Sequence, residues 1–106
     1  MQVGIDLVAV TKFQTINQED YEHWKHVFTK SEWQEAFRDS SVAEHLAGYF
    51  AAKEAAMKAT GKVGVDKMLN FDISHKPDGA PQINIDNATL SISHNQQIAV
   101  AIVIIP

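Results

Sequence analysis

The chain contains no cysteine, which excludes disulfide bonds, thiolate zinc sites and a cysteine nucleophile. Arginine is almost missing too, because Arg38 is the only arginine among nine basic residues. Recognition of a partner by the planar arginine fork therefore has little basis here. The 13 acidic residues give a net charge of −4, which argues against sequence-independent binding of nucleic acid.

Long apolar runs are also missing, and none approaches the length of a membrane span. The opening residues, Met1-Gln2-Val3-Gly4, have neither a basic region nor the apolar region of a secretory signal. We therefore expect a cytoplasmic protein that does not cross a membrane. A length of 106 residues predicts a single domain, residues 1–106, whose small core makes oligomerisation an expectation.

The first half of the chain predicts one strand followed by helices. Gln2 to Val10 is apolar and β-branched, interrupted by Asp6, and predicts a buried strand. Helical spacing of aromatic residues follows from Tyr21, and Thr29-Lys-Ser-Glu32 fits a capping box. The longest helix is expected from Val42 to Thr60, ending at Gly61.

The second half changes to the period of β-strands. Four short β-branched segments are separated by the turn signals Pro77-Asp-Gly79 and Asn95-Gln-Gln97. We expect strands at Leu69–His75, Gln82–Ile85, Thr89–Ser93 and Ile98–Ile105. A strand, a helical block and then a β-meander predict an α+β domain with an antiparallel sheet.

The candidate chemistry lies on the long helix, between Phe50 and Ala59. At about 100° per residue, Glu54 lies at the edge of an apolar stripe that includes Phe50. Lys58 follows Glu54 on the same side, and Lys53 flanks the stripe on the other. Taken alone, this pattern is typical of an ordinary amphipathic helix with a Glu–Lys surface pair.

Asp6 adds a second carboxylate, in an apolar strand where burial is costly without a cation or hydrogen bonds. One interpretation is an aspartate at a strand end, exposed or bonded to backbone N–H groups. The functional interpretation pairs Asp6 with Glu54, because Mg²⁺ binds through few protein carboxylates and keeps positions for water and phosphate oxygens. Lys53 and Lys58 would then neutralise charge on a phosphate.

Several motifs, in order along the chain, resemble the holo-acyl-carrier-protein synthase family, the small 4′-phosphopantetheinyl transferases of bacterial fatty-acid synthesis. Gly4-Ile-Asp-Leu-Val8 is similar to the opening strand of the family, and Phe28-Thr-Lys-Ser-Glu32 to the following helix start. Leu46-Ala-Gly-Tyr-Phe-Ala-Ala-Lys-Glu-Ala55 resembles the signature helix. The segments Phe71-Asp-Ile73, Asp78-Gly-Ala-Pro81 and Ser91-Ile-Ser-His94 resemble the C-terminal meander.

The resemblance implies that the chain moves the 4′-phosphopantetheine arm of coenzyme A onto a serine of an apo acyl carrier protein. It implies a phosphopantetheinyl transferase-like α+β fold, Mg²⁺ bound by Asp6 and Glu54, and a homotrimer with active sites between subunits. Lys58 would be catalytic together with these carboxylates. The residues implied to contact coenzyme A are Lys53, Lys58, Gly61 and His94. The other histidines match no motif and are expected at the surface: His23, His26, His45 and His75.

Three features depart from the family pattern. Lys12 and Tyr49 stand where the family usually has arginines, and the turn after the signature helix is Gly61-Lys-Val-Gly64. Lysine keeps the charge of arginine but loses its planar fork, whereas tyrosine loses the charge as well. These departures leave open an alternative: a catalytically weak or inactive trimeric homologue that binds coenzyme A or a carrier protein.

Overall fold

The computed structural model describes all residues 1–106 and has the predicted α+β composition. Short 3₁₀ turns at Val10–Phe13, Gln18–Asp20 and Val65–Asn70 connect the main elements. These elements are, in chain order, β1 (Gln2–Ala9), α1 (Tyr21–Trp24), α2 (Lys30–Ala36), α3 (Val42–Thr60), β2 (Ile73–His75), β3 (Pro81–Ile83), β4 (Thr89–His94) and β5 (Ile98–Ile105).

The predicted bounds of α3 are confirmed, and the end of the helix has a clear cause. Gly61 adopts a left-handed conformation with φ of 75°, and its N–H donates to the Met57 carbonyl at 2.9 Å. A residue without Cβ takes this conformation at little cost, so the helix stops there. The capping box at α2 is confirmed too, because Thr29 and Glu32 bond reciprocally through side chain and backbone.

The strands form two antiparallel sheets rather than the single meander that the sequence predicts. The larger has the order β1–β5–β4 and the smaller pairs β2 with β3. The 3₁₀ turn at Val65–Asn70 replaces the start of the strand expected from Leu69, which leaves β2 only three residues long. Asn87, with φ of 63°, lies in the connection between β3 and β4, and asparagine tolerates this left-handed conformation better than most residues. β3 and β4 are not paired, so the meander is interrupted.

Helix α3 packs on the larger sheet through small residues. Ala51, Ala52 and Ala55 are fully buried, and a Cβ on Gly4 would overlap the Ala55 carbonyl oxygen and lie 2.8 Å from the Ala59 nitrogen. The backbones of β1 and α3 are thus in direct contact at Gly4. Since Asp6 is two residues farther along β1, this contact sets its position relative to the helix.

The opposite face of the larger sheet is apolar and uncovered. Val3, Ile5 and Leu7 of β1 are exposed to 51%, 56% and 60%. Their direct partners on β5 are Ile104, Ile102 and Val100, which are half-buried. We call these six residues the outer sheet face. None of the helices is long and apolar enough to cross a membrane.

Candidate functional site

Strand alternation turns Gly4, Asp6 and Val8 toward α3. The Asp6 side chain is 18% exposed, and the Lys58 ammonium donates to its Oδ1 at 3.1 Å and to the Ile5 carbonyl at 2.9 Å. The aspartate therefore has the compensating cation that its position in an apolar strand requires.

Glu54 lies beside this ion pair, half-buried on α3. Burial and then the negative charge of Asp6 raise its pKa, while Lys12 and Lys58 act in the opposite direction. The two carboxylates are therefore close enough to repel each other, in the pairing that the sequence suggested.

Lys12, which stands where the family usually has an arginine, is also part of this site. Its ammonium lies 4.1 Å from the centroid of the Phe50 ring, one helical turn before Glu54. The 3₁₀ turn that directly follows β1 brings it there. The attraction between a cation and a ring face stabilises this arrangement, so two lysines, Lys12 and Lys58, flank the carboxylate pair.

The carboxylate oxygens of Asp6 and Glu54 suit a hard divalent cation that takes further ligands from elsewhere. No cluster of three or more His, Cys, Asp or Glu side chains exists that would hold a metal ion by itself. Two carboxylates that repel each other are the kind of ligand pair that Mg²⁺ binds. This ion often uses one or two protein carboxylates and takes its other ligands from water and substrate phosphates. Asp6 and Glu54 are the residues that would hold it.

The phosphate contact predicted for Lys53 is wrong, because Lys53 is fully buried. Its ammonium lies 2.9 Å from Glu32 Oε1 and donates to the carbonyls of Met68 and Phe71. All three donors of the ammonium are thus used inside the core. Helical spacing placed Lys53 beside the apolar stripe but did not reveal that the Val65–Asn70 turn covers it.

Glu32 completes this internal ion pair, which we call the core ion pair. Besides Lys53, its carboxylate accepts from the N–H groups of Thr29 at 2.8 Å and Ile73 at 2.7 Å. Burial raises the pKa of Glu32 and lowers that of Lys53, and each charge partly offsets the effect on the other. The pair joins α2, α3 and β2, so its role is structural.

His94 lies away from the carboxylate pair and lines a cavity of about 220 Å³. We call this the histidine cavity; its other lining residues are Glu44, His45, Gly48, Tyr49, His75, Gly79, Pro81 and Ile92. His23, His26 and His75 are exposed, as predicted, whereas His45 is half-buried. His45 and His75 also line the cavity, which the sequence did not predict. No periodicity brings β2, β4 and α3 together, so this cluster could not be found from spacing.

Two imidazoles of the histidine cavity are bonded to carboxylates. His94 Nδ1 lies 2.7 Å from Glu44 Oε1, and His45 Nε2 lies 3.1 Å from Asp39 Oδ1. The two rings are 6.2 Å apart between centroids. Burial raises the pKa of the Tyr49 hydroxyl far above its ordinary value, so Tyr49 contributes no charge to the cavity at neutral pH.

The carboxylate pair and the histidine cavity lie on different sides of α3. At 100° per residue, Glu54 and His45 are about 180° apart around the helix. None of the three cavities of the molecule is lined by Asp6, Glu54 or Lys58. Gly61 lines none of them either, and its predicted contact with coenzyme A stays a prediction.

Comparison with known proteins agrees with this arrangement. Residues 2–103 match the model of the 4′-phosphopantetheinyl transferase superfamily. The holo-[acyl-carrier-protein] synthase of Thermodesulfovibrio yellowstonii is 35% identical over 97% of this chain and 96% of its own length. A Campylobacter jejuni protein of the same name is 33% identical over 99% of both chains.

Solved structures are similar over the same range. The holo-(acyl-carrier-protein) synthase of Bacillus anthracis, in complex with CoA (3′,5′-ADP), superposes with a TM-score of 0.77 at 28% identity, covering 96% of this chain and 92% of that one. The Helicobacter pylori synthase in complex with coenzyme A also gives a TM-score of 0.77 at 28% identity, covering 96% and 97%. The predicted fold class is confirmed by these similarities.

Proposed function

Because the chain belongs to the 4′-phosphopantetheinyl transferase superfamily, we propose that it is a holo-acyl-carrier-protein synthase. It transfers the 4′-phosphopantetheine arm of coenzyme A to a serine of an apo acyl carrier protein and releases adenosine 3′,5′-bisphosphate. The single observation that carries the proposal is the Asp6–Glu54 pair, flanked by two lysines, in a chain similar to named synthases over nearly its whole length.

Transfer forms a bond between the serine oxygen and the phosphorus that bears the pantetheine arm. The bond from that phosphorus to the bridging oxygen of the pyrophosphate breaks, and the serine gives up its proton. Negative charge grows on the departing adenosine 3′,5′-bisphosphate, so nearby positive charge lowers the barrier. Lys58 and Lys12 supply such charge beside the carboxylates.

Magnesium is part of the proposal, with Asp6 and Glu54 as its protein ligands. Bound there, it would neutralise and polarise the pyrophosphate oxygens. Lys58 now bonds to Asp6, and it is free to turn toward a phosphate once a cation takes its place, since its side chain is half exposed.

We also propose that the protein is cytoplasmic and forms a homotrimer with active sites between subunits. Two features support shared sites. The outer sheet face is an apolar area that a second copy would remove from water. The carboxylate pair and the histidine cavity lie on different sides of α3, so a donor molecule that used both would draw them from two copies of the chain.

The alternative is a trimeric homologue that binds coenzyme A or a carrier protein with little or no catalysis. The charge of the histidine cavity favours it, because Tyr49 and Glu44 line the cavity and no lysine or arginine does. A weaker grip on the nucleotide would lower the transfer rate. The same cavity in an active enzyme would change its donor preference instead.

The test is to incubate the protein with coenzyme A, Mg²⁺ and a panel of apo acyl carrier proteins and to detect the added arm by mass spectrometry. We expect modification of at least one carrier protein, and its loss with Glu54→Ala or with excess chelator. The matched control is Glu19→Ala, an exposed acidic change outside the site. Absence of modification for every carrier protein, with Glu54→Ala indistinguishable from wild type, would overturn the proposal.

A further inference from the structure

Helix α3 has few buried side chains that could fix its rotation against the larger sheet. Its buried small residues are Ala47, Gly48, Ala51, Ala52, Ala55, Ala56 and Ala59. Such a surface sets how closely the helix approaches the sheet, but it provides little interlocking against rotation. A rotation of α3 by about 20° would move a carboxylate at the rim of the helix by about 2 Å. The direction of Glu54 therefore depends on a further contact.

The core ion pair is such a contact. Among the charged side chains of α3, only that of Lys53 is fully buried, whereas the ion pairs of Glu44 and Lys58 are partly exposed. Hydrogen bonds have a preferred length and direction. A rotation that keeps the alanines in contact with the sheet would still break the bonds of Lys53, inside a core where water does not replace them. Lys53 therefore restrains the rotation of α3.

The partners of Lys53 belong to a hydrogen-bonded frame outside α3. Glu32, on α2, also accepts from the N–H group of Ile73 at the start of β2. Thr29 Oγ1, before α2, donates to Asp72 Oδ1 at 3.1 Å, and the Asp72 N–H donates to Asn84 Oδ1 at 2.8 Å. The frame thus joins α2, the start of β2 and the residue that follows β3. It holds the acceptors of Lys53 in place.

The frame is packed against the segment that follows β1. Phe13, in the 3₁₀ turn after β1, is buried, and its ring centroid lies 6.0 Å from that of Phe28. Phe28 is itself fully buried and directly precedes Thr29, the N-cap of α2. The strand that carries Asp6 and the helix that carries Glu32 are therefore held in a fixed relation by a packed aromatic contact.

We propose that the core ion pair positions Glu54 against Asp6 by fixing the rotation of α3. This inference rests on the proposed function, in which the two carboxylates hold the cation. Adjacent residues on a helix are about 100° apart, so one turn of α3 directs Lys53 into the frame and Glu54 toward Asp6. Mg²⁺ requires oxygen ligands at about 2.0–2.1 Å in near-octahedral geometry, so a small rotation would separate the pair. Lys53 and Glu32 are thus positioning residues.

The first experiment uses the repulsion between Asp6 and Glu54 as a measure of their proximity, with a chelator present. In wild type, Glu54→Gln removes a like-charge contact and should raise the Tm by a few degrees. In the background Glu32→Gln/Lys53→Met, which lacks both charges of the core ion pair, we expect less than half of this gain. A gain of the same size in both backgrounds overturns the inference. The measurement needs neither a metal ion nor a substrate.

Metal binding gives the second measurement, with Mn²⁺ as a probe that takes the same oxygen ligands. Mn²⁺ is titrated in the presence of coenzyme A and followed by electron paramagnetic resonance, at a temperature where the variants are folded. We expect Glu32→Gln/Lys53→Met to bind Mn²⁺ at least tenfold more weakly than wild type. Its kcat/KM should be about a hundredfold lower, as a displacement of about 1 Å would cause. Unchanged Mn²⁺ affinity overturns the inference.

The matched control is Leu90→Ala, which removes a buried side chain from β4, a strand that is not paired with β1. This variant is destabilised by the cavity it creates, but it should keep the Mn²⁺ affinity of wild type. If Leu90→Ala loses as much affinity as Glu32→Gln/Lys53→Met, the effect comes from lower stability alone and the inference is refuted.

Failure of this inference and failure of the proposed function give different results. A wild-type protein that transfers no arm, together with a reduced Tm gain in the background Glu32→Gln/Lys53→Met, would refute the proposed enzyme and support the role of the core ion pair. A double variant that transfers the arm and binds Mn²⁺ as wild type does would support the enzyme and refute the positioning role.

Discussion

Glu54 holds its proton more tightly in the folded chain than in the unfolded one. Burial, followed by the charge of Asp6, raises its pKa above the ordinary value of 4.5. The contribution of a group with a raised acidic pKa is most favourable below the unfolded pKa and declines as the pH rises toward the folded one. At neutral pH the ionised pair therefore costs stability, which is the usual cost of a site prepared for a cation.

This cost can be measured with Glu54→Gln in the presence of a chelator. At pH 7.5 we expect the variant to unfold a few degrees higher than wild type, because a like-charge contact is removed. In a separate assay with Mg²⁺ and no chelator, the variant should have lost transfer activity. At pH 4, where Glu54 is largely protonated, the difference should almost vanish. Thermal unfolding followed by circular dichroism, with Glu19→Gln as the exposed control, decides; a lower Tm at pH 7.5 would contradict the argument.

For the core ion pair we expect substitution to lower the stability of the fold, by more than Glu54→Gln raises it. Lys53→Met leaves the Glu32 carboxylate buried without its cation, and breaking a buried pair in this way costs about 3–5 kcal/mol. Urea unfolding should show this loss, and the double variant Glu32→Gln/Lys53→Met should recover part of it. Lys25→Met, which breaks an exposed pair with Glu22, serves as the control. If Lys53→Met unfolds like Lys25→Met, the core ion pair has no structural role.

At the scale of elements, the contact between β1 and α3 holds the carboxylate pair together. Gly4 and the alanines of α3 bring the two backbones close enough that no Cβ fits between them. A displacement of β1 relative to α3 would therefore move Asp6 away from Glu54. The geometry of the site thus depends on Gly4, a residue without a side chain.

Two glycine substitutions test this dependence. Gly4→Ala forces β1 away from α3, and we expect a loss of about 3 kcal/mol or more, as for overpacked cores, together with weaker Mg²⁺-dependent activity. Gly48→Ala is the matched control: its Cβ would meet only Ile92 Cγ2, at 3.2 Å, and alanine favours a helix by about 1 kcal/mol over glycine. Equal stability losses in urea for both variants would contradict the argument.

Features that depend on neighbouring residues were predicted well from the sequence, and features that depend on long-range contacts were predicted less well. The ends of α3 and the capping box at Thr29 were predictable because both depend on residues within one helical turn. The division of the strands into two sheets was not, because no local signal specifies which strands pair. The Val65–Asn70 turn, in which the Met68 carbonyl accepts from Lys53, was not predicted either. The same contact made Lys53 internal, and the histidine cavity needed three distant segments to meet.

For the whole molecule, the exposed outer sheet face is the clearest indication of assembly. Its six residues form three adjacent cross-strand pairs between β1 and β5. An apolar strip of this kind on a single chain is typical of an interaction surface. The proposed homotrimer would cover it and bring a carboxylate pair of one copy near the histidine cavity of another.

Ile5→Asp tests the assembly at the centre of this face. A buried charge at an interface costs several kcal/mol, so we expect sedimentation to show monomers where wild type sediments as trimers, with transfer activity lost in parallel. Val65→Asp changes a valine outside the sheet that is exposed to 66%, against 56% for Ile5; it is the control and should remain trimeric. A wild-type protein that sediments as a monomer at assay concentration would refute the shared-site proposal.

The order of strands in the larger sheet also bears on how the protein is made. β1 is synthesised before the other four strands, yet its only strand partner is β5, and the register joins Gln2 to Ile105. Closing so large a loop is slow compared with helix formation. A nascent chain therefore carries an unpaired apolar strand until β5 has been synthesised, and such edges attract chaperones or aggregate. Low temperature and slow expression should accordingly favour recovery of active protein.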